Sequence, residues 1–305
     1  MNFKDSSEFL EYLQKVWHSE KKISNDAEQK KWREDFTKIS SDRGAKNGLD
    51  TSKIVHKRNH YDEMVQSYVK ELVLLLEENH AKQIGKIITV GSVNSNSINA
   101  VCTTDTNGNY AVVINSSLFT YLHKYGKILL AIQNPTIVTF CNRKDYKEIT
   151  KKDLEDYLIE LPKIYFEVNE PKGPMIHLDD NHTMVHMKIL EIAEKFAIGH
   201  ELGHYFCGHL DNGENTELFL NDLEKLKNDN YKIEFEADDF GFDLISDIRN
   251  KNSSEIIKSG IYLLFQGLNS LNPYASESHP APRARMKRLL DKLETRKTTH
   301  NNAYK

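Results

Sequence analysis

Two histidines four residues apart bracket a glutamate in the string His200-Glu201-Leu202-Gly203-His204. The stretch from Met184 to Phe206 that carries it is apolar and helix-favouring, and residues four apart on a helix project from one face. Two imidazole nitrogens on one face can grip a single zinc ion, and a glutamate between them can act on a zinc-bound water. The same string also arises on amphipathic helices that hold no metal, so a third ligand has to decide the reading.

A catalytic zinc usually has three protein ligands and one open position. One scheme draws the third from a later histidine, in the pattern His-Glu-x-x-His-x-x-Gly-x-x-His. Here the glycine is Gly208 and the next histidine is His209, displaced in opposite directions from that pattern. The other scheme takes a glutamate from a later helix, and residues 233–241 supply candidates. On a helix Glu234, Ala237, Asp238, Gly241 and Ile245 share a face. Ala237 and Gly241 are small enough to let that helix approach closely. Glu236 falls with Asp239, Asp243 and Asp247 on what reads as a solvated acidic side. Glu234 is therefore the expected ligand, and Asp238, one turn on, is placed to accept the free N–H of a metal-bound histidine.

His-Glu-Leu-Gly-His followed by Glu-x-x-Ala-Asp (Glu234 to Asp238) resembles the HtpX-like and prenyl-protein-protease-like gluzincin metallopeptidases. Ser278-His279-Pro280, with Arg285 six residues after the histidine, resembles a later motif of the same group. Asn99-Ala100 and Asn115-Ser116-Ser117-Leu118 resemble its strand before the metal helix. The resemblance runs from about Ile98 to Leu290. It implies a zincin-like core, one zinc per chain on His200, His204 and Glu234, Glu201 as general base, and His279 as a donor to the oxyanion. Arg285 is expected to tie down the closing helix. The chain departs from the group in having no membrane-embedded segments and in about 40 extra residues near 140–181, by the usual length of connections. Its soluble character is also similar to phage-encoded or phage-defence gluzincins.

The elements that must position these residues follow from pattern. Helices are expected around Phe9 to Trp17, Asn59 to His80 (Met64, Val65, Tyr68, Leu72, Leu75 and Leu76 inward), Ser116 or Ser117 to Gln133, and Asp153 to Leu161. Further helices should run over Lys232 to Ile248, Ser254 to Leu268 and Arg283 to Leu293, with a frayed tail from Thr295. Strands are expected at Lys86 to Val90, Ile98 to Cys102, Tyr110 to Ile114 and Ile137 to Cys141. Asn107-Gly108 predicts a type I′ hairpin setting Cys102 opposite Val113 and Val101 opposite Ile114. Ser41 to Ser52 and residues 210–229 read as loops, the latter with a short helix. The expected fold is α+β, mainly helical, with a small antiparallel sheet from 86 to 140 over the metal helix. Residues 1–80 form an N-terminal helical region, 81–295 the metallopeptidase domain and 296–305 a tail.

Composition narrows the partners. A formal charge of −4 gives no strong pull toward nucleic acid or anionic membrane. No stretch reaches the ~18 apolar residues of a membrane span, the N-terminus does not resemble a secretory signal, and Cys102, Cys141 and Cys207 make no disulfide framework. These features predict a soluble, cytoplasmic protein, and the metal motif with the family resemblance implies a zinc endopeptidase acting on a protein or peptide. Tyr110 to Ile114 is a candidate edge strand for an extended substrate. Two alternatives use the same residues: a silent zinc-stabilised protein-binding module, and a zinc hydrolase of a non-peptide amide.

Overall fold

The computed structural model describes residues 3–17, 60–210, 223–247 and 252–303. The expected loop from Ser41 to Ser52 and most of the 210–229 segment lie outside the described residues. The fold is α+β and mainly helical. Its helices are α1 (Ser6–Trp17), α2 (His60–Val73), α3 (Glu78–Ala81), α4 (Ser116–Gln133), α5 (Lys151–Val168), α6 (Asp180–Phe206), α7 (Leu223–Ser246), α8 (Ser254–Leu271) and α9 (Pro282–Ala303). The strands are β1 (Ile88–Val93), β2 (Ala100–Thr104), β3 (Tyr110–Asn115), β4 (Val138–Cys141) and β5 (Ile176–Leu178). Among the described residues no helix is long and apolar enough to cross a membrane.

The main sheet has the order β1-β3-β2, with β1 parallel and β2 antiparallel to β3, so it is mixed rather than antiparallel. The strand expected to complete it, β4, pairs instead with β5 in a separate antiparallel ribbon. β3 is central, which removes Tyr110 to Ile114 as an edge for substrate. Its Ala111-Val112-Val113-Ile114 run is wholly buried, as a strand covered on both faces requires. Ala111 and Val113 meet Phe9, Leu10 and Leu13 of α1. Val112 and Ile114 join the main core with Val65 of α2, Leu118 of α4, Phe196 and Leu202 of α6, Phe242 of α7, Ile261 of α8 and Leu289 of α9.

The hairpin differs from expectation by one residue: Cys102 faces Val112 and Val101 faces Val113. Asp105 is the cause. Its Oδ1 accepts from the backbone N–H of Asn107 (2.8 Å) and of Asn109 (2.9 Å). Only Gly108 of the loop has positive φ (+77°), so the turn is not type I′, which needs two such residues.

Helix ends also shift. Asn115, not Ser116 or Ser117, holds the N-cap position of α4, without a side-chain capping bond; Ser116 Oγ donates to Asn94 and Ser117 Oγ to the Ser95 carbonyl. α2 stops at Val73, leaving Leu74 exposed, and Val16 and Trp17 of α1 also face solvent. α5 starts at Lys151 because Thr150 and Asp153 form a reciprocal cap, and it runs on to Val168. α6 begins four residues before Met184, where Asp179 accepts from His182 N–H at 2.9 Å. It ends where Gly208 takes φ +74°, the left-handed turn that closes many helices. The backbone of α9 remains helical to Ala303 rather than fraying from Thr295.

Candidate metal centre

α6 is buried almost continuously from Ile192 to Gly203. Such a helix holds its side chains against fixed neighbours, and α7 is the neighbour that matters most. A Cβ added to Gly203 would lie 2.9 Å from Ala237 Cα, and one on Gly241 would lie 2.8 Å from His200 N. The small-residue face of α7 thus lets the two backbones touch. That contact carries Glu234, one turn before Ala237 and Asp238, over the two histidines.

The donor atoms converge. His200 Nε2 and His204 Nε2 are 3.1 Å apart. Glu234 Oε2 is 3.5 Å from the first and Oε1 3.5 Å from the second. A tetrahedral zinc site with ligand distances of about 2.0–2.1 Å has donor–donor edges of about 3.3–3.4 Å, so this spacing suits one ion. Glu234 Oε2 is buried without a hydrogen-bond partner. Arg285 Nη1 approaches it to 3.1 Å, but outside hydrogen-bond geometry. Buried polar atoms are normally hydrogen-bonded, and a ligated metal ion would complete this one. His200, His204 and Glu234 form a group able to hold a metal. Burial first, then the Arg285 charge, lowers the His200 pKa; burial and then His200 push His204 down to about 3. Both rings are neutral near pH 7, the state a ligand needs.

Asp238 stands where the helix face predicted. His200 Nδ1 is 3.1 Å from Asp238 Oδ1. Arg285 grips the same carboxylate with two bonds, Nε to Oδ2 at 2.9 Å and Nη2 to Oδ1 at 2.6 Å. Burial pushes Asp238 up, but the Arg285 charge and then the His200 and Arg285 hydrogen bonds outweigh it and hold the acid at about 2. Arg285 Nη2 also lies 3.2 Å from His200 Nδ1, yet Nδ1 cannot accept there while it donates to Asp238. Arg285 is more than a tie for the closing helix. It is buried, with its guanidinium 5.2 Å from the Phe265 ring, and it holds the outer side of the triad. Its spacing from His279 was the signal that pointed here. His279 Nε2 reaches Glu234 Oε1 at 3.3 Å while its side chain stays 57% exposed.

Glu201 faces the other way, toward the sheet. The Cys102 backbone N–H donates to its carboxylate, and burial, then the charge of Glu234, pushes its pKa up to about 8. A cation in the triad would act against that rise. The register explains the contact. Across the hairpin the Asn115 N–H donates to the Asn99 carbonyl and the Asp105 N–H to the Asn109 carbonyl. Alternation along an antiparallel pair then turns the N–H and C=O of Ala100, Cys102 and Thr104 outward. β2 is an edge strand of its sheet, and Glu201 sits at that open edge.

The acidic side of α7 is less solvated than its pattern predicts. Asp239 meets Arg288 and Lys292, and Asp243 meets Lys292 and Arg296 of α9. Glu236 meets His209: its Oε2 is 3.1 Å from His209 Nε2.

A family model described as Peptidase U49 matches residues 140–304. The chain belongs to the Peptidase U49 family. The match takes in α6, α7, α9 and the segment 140–181, and so every residue of the triad and its outer partners. The β2 edge that meets Glu201 lies before the matched span. Comparison of this Peptidase U49 member with curated proteins and with solved structures found no match.

Proposed function

We propose that the protein is a zinc-dependent endopeptidase of the gluzincin type, akin to the HtpX-like and prenyl-protein-protease-like enzymes. Membership of a peptidase family supports peptide bonds as substrate. The observation that carries the metal reading is the convergence of His200, His204 and Glu234, with one buried Glu234 oxygen that makes no hydrogen bond. Zinc bound there would act as a Lewis acid, polarising the scissile carbonyl and lowering the pKa of a water toward neutrality.

The chain's own residues supply the rest. Glu201 takes a proton from the attacking water as its oxygen bonds to the carbonyl carbon. It delivers that proton to the amine nitrogen as the C–N bond breaks. The Cys102 N–H keeps the carboxylate aimed and partly offsets its burial. His279, half-exposed at the rim, donates to the developing oxyanion. Asp238 and Arg285 orient His200. An extended substrate segment pairs with the open edge of β2 at Ala100 and Thr104, replacing the β3 edge that the fold buries.

Glu201→Gln tests this reading, with product termini mapped by mass spectrometry in cells making either form. New protein termini present with wild type and absent with the variant, at equal zinc content, are the expected result. Termini independent of Glu201 overturn the peptidase assignment. A retained cellular effect with no cleavage favours the silent binding module, and turnover of small amides alone favours a non-peptide hydrolase.

A further inference from the structure

His204 has an outer partner of its own, unlike that of His200. With its Nε2 turned toward His200 and Glu234, the ring proton of His204 belongs on Nδ1, 3.1 Å from Nδ1 of His209. His209 can accept there only if its own proton sits on Nε2, and that nitrogen is 3.1 Å from Glu236 Oε2. Each proton in the chain His204, His209, Glu236 therefore has one place. The backbone makes this possible. Gly208 at φ +74° turns the chain back so that His209 N–H donates to the His204 carbonyl at 3.0 Å. The two rings then meet edge to face, with centroids 5.2 Å apart at 72°. The His209 side chain is 5% exposed, and Lys232 lies 3.7 Å from the other Glu236 oxygen.

We propose that His209 and Glu236 are a positioning pair that fixes the tautomer and ring orientation of His204 and raises its basicity as a metal ligand. The inference rests on the proposed metal centre. It gives the two histidine ligands different supports, a buried ion pair behind His200 and a second imidazole backed by a half-exposed carboxylate behind His204.

The test is zinc affinity of the full chain, measured by competition with a chelating dye for wild type, His209→Phe, His209→Gln and Glu236→Gln. Outer partners of this kind are worth about 10–100-fold in metal affinity. His209→Phe, which cannot accept the Nδ1 proton, is expected to lose about tenfold or more. His209→Gln, whose amide oxygen can accept it, should recover most of that loss, and Glu236→Gln should lose a few-fold. A proton resonance of His204 Nδ1–H, protected from exchange in zinc-loaded wild type, should disappear in His209→Phe. Wild-type affinity in both His209→Phe and Glu236→Gln overturns the pair and leaves the metal centre standing. A Gln variant as weak as the Phe variant assigns the effect to packing and also overturns it. If His209→Phe does not fold, Glu236→Gln decides, because that side chain is 43% exposed; unchanged affinity there overturns the proposal. Wild type that binds no zinc overturns the metal centre and the pair together.

Discussion

Two pairs of histidines meet at points about four turns apart along α6, and they share a distance but not a chemistry. His186 Nε2 lies 3.1 Å from His123 Nδ1 of α4, the same spacing as between His200 and His204. Both His186 and His200 are buried. Around the first pair the neighbouring charges are cationic: after burial, Lys127 lowers the pKa of both rings, with His177 and Lys124 adding to the effect on His123. His186 Nδ1 is buried without a hydrogen-bond partner. Around the second pair stand Glu234, Asp238 and Glu236, and each ring has a partner at Nδ1. Two close imidazoles are a packing solution. Carboxylates around them make a cation site, because they supply the missing ligand and fix each tautomer.

Substitution of one residue in each pair should separate these cases by the widest margin. Glu234→Ala or His204→Ala is expected to abolish stoichiometric zinc and to reduce peptide cleavage by more than the ~10–100-fold typical of losing an outer partner. His186→Asn should keep wild-type zinc content. Elemental analysis of purified protein reads both. Zinc retained by Glu234→Ala, or lost from His186→Asn, would erase the distinction.

The glycines beside each pair give a smaller and sharper contrast. A Cβ on Gly203 meets the Ala237 backbone at 2.9 Å, whereas one on Gly126 meets His186 Cε1 at 2.8 Å. A backbone has nowhere to go, so Gly203→Ala should push α7 from α6 and move Glu234 off the histidines. Overpacking of this kind costs about 1–3 kcal/mol, and here zinc affinity should fall with stability. In Gly126→Ala the His186 ring has to shift. Stability falls there too, but zinc affinity should not. Denaturant melts and dye competition on the same samples check the pairing.

What was legible in the sequence follows the same division between local and distant causes. Helical period alone brought His200 and His204 to one face, and chose Glu234 over Glu236 because Ala237 and Gly241 marked the close side of α7. Asp238 came with them. Arg285 stands out by its spacing, but nothing local tells a buried arginine from one that ties down a helix. The central position of β3 is not legible, because parallel pairing to β1 is non-local and a short buried strand reads the same whether central or at an edge. The hairpin register slipped by one because the Asp105 side chain, not the Asn107-Gly108 pair, shapes that turn. The contact of His209 with Glu236 depends on the backward turn at Gly208 and on the crossing of two helices, and no periodicity encodes either.

The His123–His186 pair also makes a pH prediction, the smallest of the contrasts. Burial, then Lys127, lowers the His186 pKa to about 3, and His123 is lowered too. A base whose folded pKa lies below its unfolded value takes up protons preferentially when unfolded. Its neutral form therefore costs nothing above the unfolded value near 6.5, and stability is lost as pH falls from there toward the folded pKa. Each such histidine contributes a slope of at most ~1.4 kcal/mol per pH unit in that window. His186→Asn cannot take up that proton, so its unfolding free energy should vary less steeply than wild type between pH 6 and 4, by up to about that amount per unit. Urea melts across the window measure the difference. Parallel slopes for the two proteins would mean that His186 titrates alike folded and unfolded, and the contrast between a neutral packed pair and a ligand pair would lose its electrostatic half.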